Sequence, residues 1–127
     1  LTNCGYREAL RVKSRSAIAV FLGYAVVIAY LSLTPTGAIN VGSHDKSAHF
    51  LSYTVFAILG VRIGLSRKGF IALCIGIVFY SALMEFGQSF VPNRQMSALD
   101  LVANAMGVLV GYAVCVWYRR AAALKGR

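Results

Sequence analysis

Four stretches of this chain are apolar enough to lie in hydrocarbon on every side: residues 17–33, 47–64, 70–90 and 98–118. Each approaches the roughly 20 residues a helix needs to cross about 30 Å of bilayer core. Inside that core a single segment satisfies its own backbone groups only as a helix. The breaks carry turn and charge signals: Thr34-Pro35-Thr36-Gly37 ends the first stretch, Ser66-Arg67-Lys68-Gly69 follows the second, and Pro92-Asn93-Arg94 follows the third. With 58% hydrophobic and 13% charged residues the chain has too little polar surface for a water-soluble domain. The expected fold is therefore an all-α membrane protein with four transmembrane helices over residues 15–120. Basic cytoplasmic tails at 1–14 and 121–127 flank them.

Basic loops stay on the cytoplasmic side. Arg7, Arg11, Lys13 and Arg15 precede the first stretch; Arg62, Arg67 and Lys68 lie between the second and third; Arg119, Arg120, Lys125 and Arg127 end the chain. Only Lys46 and Arg94 remain for the other two loops. Both termini are thus expected in the cytoplasm, with loops 34–46 and 91–97 outside. The net charge of +9 is split among short segments beside the membrane, a pattern that suits anionic lipid and gives nucleic acid no continuous basic face. Cys4, Cys74 and Cys115 all fall inside or near the cytoplasmic ends and are expected as reduced thiols.

Charged groups beside membrane spans are costly, and those that occur mark functional sites by default. Three of the four acidic residues, Asp45, Glu85 and Asp100, lie at the edges of the apolar stretches, with His49, Gln88, Arg94 and Asn104 nearby. Helical spacing gives each segment one polar stripe: Asp45, His49 and Tyr53; Ser81, Glu85 and Gln88; Asp100 and Asn104, continued by Gly107 and Gly111. With the topology above, all three stripes meet at the outer side. The pairs Gly107/Gly111 and Gly60/Gly64 have the small-xxx-small spacing that lets helices approach closely, or lets two copies associate. Trp117, Tyr118 and Tyr112 suit an aromatic belt at the inner interface.

Asp45-Lys46-x-x-His49-Phe50-x-x-Tyr53, then Glu85-x-x-Gln88-x-Phe90-x-Pro92-x-Arg94, then Asp100-x-x-x-Asn104-x-x-Gly107-x-x-x-Gly111 resembles the signature of the VanZ-like family. Ser32-Leu33-Thr34-Pro35 is similar too, and the likeness covers about residues 30–111. Asn93 stands where a glycine is expected in the third loop, and Asn tolerates the left-handed backbone nearly as well. The resemblance implies a small multi-pass protein of the bacterial cytoplasmic (inner) membrane. The family is named for a glycopeptide (teicoplanin) resistance protein, so it also implies a cell-envelope context.

The residues themselves allow two kinds of activity. As an enzyme, His49 acts as general acid or base, Asp45 or Asp100 orients it, and Glu85 completes the proton transfer. Lys46 and Arg94 then hold the phosphate of a lipid-linked envelope intermediate, with Tyr53, Gln88 and Asn104 completing substrate contacts. As a binding protein, the same pocket grips a glycopeptide, an envelope precursor or a partner membrane protein without changing it. One His with two or three carboxylates also suits a divalent ion, but no His-x-x-x-His or Cys pair fixes such a site, so no metal ligand and no cofactor is assigned. The plainest alternative is that these groups only satisfy one another. Interhelical hydrogen bonds in membranes average about 0.6 kcal/mol, so packing alone does not require so many costly groups.

Overall fold

The computed structural model describes residues 2–35 and 44–125, with side chains from 14–35 and 46–125. Four helices follow in order: α1 (Thr2–Leu33), α2 (His44–Val61), α3 (Arg67–Gln88) and α4 (Ala98–Lys125). Each takes in most of one apolar stretch, with α2 and α3 ending two or three residues short of theirs, and the described residues are otherwise turns and connections. Ser14–Leu33, Arg67–Gln88 and Ala98–Lys125 are long and apolar enough to cross a membrane. α2 differs: its 18 residues span about 27 Å at 1.5 Å per residue, and its first two turns carry His44, Asp45, Lys46 and His49.

Local chemistry sets the breaks. Ser66 caps α3, its hydroxyl accepting the Gly69 N–H at 3.2 Å. Gly64, at φ +81°, stands in the turn after α2. Asn93 has φ 63°, the left-handed backbone expected in the third loop. β-Branched residues pay most for that conformation, so Asn93→Val should cost about 1–2 kcal/mol of stability. Asn93→Gly should cost close to nothing in the same thermal unfolding series.

α2 and α3 each touch all three other helices, whereas α1 and α4 do not meet among the described residues. The tightest approach joins α2 to α4. A Cβ at Gly107 would run into the Phe50 carbonyl, and one at Gly111 would lie 2.7 Å from Ala57 Cβ and 2.8 Å from Thr54 O. The Thr54 hydroxyl uses the proximity, sharing its proton between Phe50 O at 2.8 Å and Gly107 O at 3.1 Å. Gly107 and Gly111 are therefore interface glycines, as their spacing predicts. The second glycine pair divides: Gly60 faces Leu73 of α3, but Gly64 has nothing near it and serves the turn.

The core centres on Phe56, with Phe21, Tyr24, Tyr53 and Tyr80 at centroid distances of 4.6–6.1 Å. Two phenols tie α1 down by donating to backbone carbonyls: Tyr80 to Ala25 at 2.6 Å and Tyr24 to Ser52 at 3.0 Å. Val26, Tyr30, Phe79, Phe90, Leu109, Trp117 and Tyr118 point outward, the arrangement of a surface solvated by lipid. Tyr112 departs from the expected aromatic belt, because it stacks on Phe70 at 5.6 Å and joins the interior. Cys74 and Cys115 are buried free thiols, and the Cys4 side chain lies outside the described residues.

Candidate functional site

The polar stripes turn inward at one end of the bundle. Ser81, Glu85, Gln88, Asp100 and Asn104 are all buried, Glu85 and Asn104 to 1% exposure. His49 reaches them from α2: its Nδ1 lies 3.1 Å from Asn104 Oδ1 and 3.9 Å from Glu85 Oε1. The imidazole of His49 and the carboxylates of Glu85 and Asp100 each place one nitrogen or oxygen within 4.8 Å of the others. Three helices thus converge on a single point, as the stripes predict.

Sequence reading missed Ser97. Its hydroxyl accepts the Asp100 N–H at 3.3 Å, capping α4, while its own N–H donates to Glu85 Oε2 at 3.2 Å. Ser97-x-x-Asp100 has the spacing of a capping box, in which the acidic side chain normally turns back to the cap N–H. Here Glu85 takes that N–H, and the Asp100 carboxylate faces the cluster instead. The sequence signal was the Ser-x-x-Asp spacing before an apolar run; what it could not show was the competitor from α3.

Beside the cluster lies a cleft of about 170 Å³, lined by Ile28, Leu31 and Ser32 of α1, Ala48, His49, Ser52 and Tyr53 of α2, and Arg94. The three stripes come from the second, third and fourth helices, and this cleft opens between the first and second. His49 belongs to both cluster and cleft. Arg94 donates from Nη2 to Leu31 O at 3.1 Å, and its Nε is buried with no hydrogen-bond partner among the described residues. Gln88 Nε2 is a second buried nitrogen in that condition.

Of the other predicted site residues, Tyr53 is buried and lines the cleft, while Lys46 is exposed and lines no part of it. Asp45 stands in the first turn of α2, but its side chain lies outside the described residues.

A helical bundle with long apolar spans and a buried histidine–carboxylate cluster at one end defines a membrane protein with a polar site beside the lipid. The sequence profile of the VanZ/LLP1 family matches residues 21–119, and the chain belongs to that family. An uncharacterised protein of Schizosaccharomyces pombe is 28% identical over 109 residues, covering 84% of this chain and 66% of the relative, a little under two thirds of its length. That similarity reaches outside the bacteria in which the resemblance placed the chain. No solved structure matches it.

Proposed function

We propose that this protein holds the phosphate of a membrane-lipid headgroup in the cleft between α1 and α2 and carries out hydrolysis or group transfer there. The observation that carries this reading is the buried Arg94 Nε in the cleft region, an N–H donor with no acceptor among the described residues. Buried donors are almost always satisfied, so the absent partner is an acceptor, and guanidinium groups pair best with planar or tetrahedral oxyanions. The cleft is smaller than the roughly 300–1,000 Å³ of sites for drug-sized ligands. At about 170 Å³ it suits a headgroup and not a whole glycopeptide antibiotic. Leu31, exposed at the cleft wall, continues into the lipid-facing side of α1, where an acyl or prenyl tail can lie.

His49 is the group at the centre of the chemistry, because it lines the cleft and its Nδ1 lies 3.9 Å from the buried Glu85 carboxylate. Glu85 and Asp100 stand behind it, and Asn104 fixes its ring. In the membrane α2 completes a fourth span and both termini are cytoplasmic, following the charge bias, so the cluster lies in the outer leaflet. If the protein is bacterial, that membrane is the inner one and the substrates are lipid-linked envelope intermediates. A fungal relative favours a phosphate lipid that both kinds of cell contain over a peptidoglycan-specific group.

The test uses the purified chain in nanodiscs with phosphatidic acid or a polyprenyl phosphate, following binding and released product. Arg94→Ala should weaken binding roughly 10- to 100-fold, as expected for one charge-assisted hydrogen bond worth about 1.5–3 kcal/mol. His49→Ala should bind and fail to turn over. Equal binding by the parent and Arg94→Ala would remove the reading. Binding that depends on Arg94 with no product from the parent would leave non-catalytic capture.

A further inference from the structure

A groove of about 720 Å³ runs along the outside of α3 and α4, lined almost wholly by apolar atoms. Ile75, Phe79 and Leu109 stand exposed along it. Its α3 wall extends from Ile71 to Ala82, about 16 Å at 1.5 Å per residue, close to half of the roughly 30 Å hydrocarbon core. The groove is therefore about one leaflet long. Its α4 wall extends from Leu101 to Tyr112, and away from the buried cluster both walls run on into cations. Arg67 and Lys68 stand four and three residues before Ile71, and Arg119 seven after Tyr112, so helical spacing puts all three on the faces that form the groove. Tyr112 stacks on Phe70 at 5.6 Å, and the Arg119 guanidinium lies 5.6 Å from the centroid of the same ring. The three cations are exposed, and among the described residues no carboxylate pairs with them, since Glu85 and Asp100 lie at the other end.

We infer that this groove binds one acyl chain of an anionic phospholipid, whose phosphate sits among Arg67, Lys68 and Arg119. An apolar channel one leaflet long that ends at three unpaired cations has the outline of that molecule, a hydrocarbon chain joined to a negative headgroup. Basic sites between membrane helices select anionic headgroups, and guanidinium groups pair with phosphate oxygens through charge-assisted hydrogen bonds. A zwitterionic lipid fills the same channel but brings its own cation, so the three basic side chains gain less from it. A second copy of the chain fits worse. Copies inserted the same way round bring like ends together, which sets Arg67, Lys68 and Arg119 against their counterparts with no described acid to offset them. The groove shares no residue with the cleft that holds His49 and Arg94 and lies toward the opposite end of the bundle, so the inference stands apart from the chemistry proposed there.

The experiment puts the full chain in phosphatidylcholine vesicles doped with brominated phosphatidylglycerol or brominated phosphatidylcholine, and reads quenching of one tryptophan. Trp117 is the sole tryptophan, so Phe79→Trp with Trp117→Phe places the probe at the groove. Brominated phosphatidylglycerol should be preferred there by about 5-fold or more, the gain expected from even one headgroup contact with a surface cation. Arg67→Gln, Lys68→Gln and Arg119→Gln combined should return the two lipids to parity, and Ala105→Phe, which narrows the groove, should do the same. Arg94→Ala should leave the preference unchanged. Val26→Trp with Trp117→Phe, a probe exposed on α1, should show little preference. Parity in the groove probe, a preference that survives the charge or groove variants, or an equal preference at position 26 overturns the inference, as does its loss in Arg94→Ala. A groove probe shielded from both lipids in a dimeric protein assigns the face to a second copy and overturns it too. Should Ala105→Phe fail to insert, the charge variants, all at exposed residues, still decide.

Discussion

Gly107→Ala is expected to lose about 2–3 kcal/mol of stability, and Gly107→Leu to separate α2 from α4 altogether. The effect is opposed by intrinsic preference, since alanine in a helix interior is favoured over glycine by about 1 kcal/mol. The clash decides the sign. The new methyl would run into the Phe50 carbonyl and lie 3.2 Å from Thr54 N, and both are backbone atoms of a helix that cannot rotate aside. Overpacking of this kind costs about 1–3 kcal/mol and sometimes more. Gly60 is the control: its obstacle is Leu73 Cδ2 at 2.6 Å, the end of a flexible side chain, so Gly60→Ala should cost about 1 kcal/mol or less. Thermal unfolding in detergent separates the two, and a Gly107→Ala protein more stable than the parent would show that α2 and α4 do not meet this way.

Glu85 should give two different phenotypes according to what replaces it. Glu85→Gln keeps a side-chain oxygen to accept the Ser97 N–H, so the start of α4 should hold and stability should change by no more than about 1 kcal/mol. It removes the charge opposite His49, and turnover should fall roughly 100-fold or more, the range of acid–base and electrostatic contributions. Glu85→Ala removes both functions, orphans the half-buried Ser97 N–H and opens a void, for an expected loss of about 3 kcal/mol. A Glu85→Gln protein with parental turnover would mean the cluster only braces the helices. A Glu85→Ala protein with parental stability would undo the account of how α3 anchors α4.

These contrasts show which parts of the site the chain spells out. Glu85, Gln88, Asp100 and Asn104 are legible because polar residues at helical spacing in apolar segments have few places to go except inward, and all four are buried. Gly107 and Gly111 are legible for the same reason of spacing. Gly64 carries an identical small-residue signal and does something else, since it falls after the last turn of α2 where φ must turn positive. Tyr112 looks like an interfacial aromatic and is instead drawn inward by Phe70. Lys46 and Arg94 are both lone cations in the outer loops by sequence, yet only Arg94 is held against the cleft, because the terminal carbonyl of Leu31 anchors it.

By itself the chain determined its helices, their apolar faces, its family and the set of polar residues drawn to one end, because hydropathy, the 3.6-residue period and motif identity are properties of neighbouring residues. Only the tertiary structure decided that the cleft opens beside α1, that Glu85 takes the Ser97 N–H, and that His49, Glu85 and Asp100 stand within 4.8 Å of one another. Those outcomes depend on how each helix is rotated about its axis and how closely it crosses the next. Contacts between residues dozens of positions apart fix that geometry, and no local pattern encodes it.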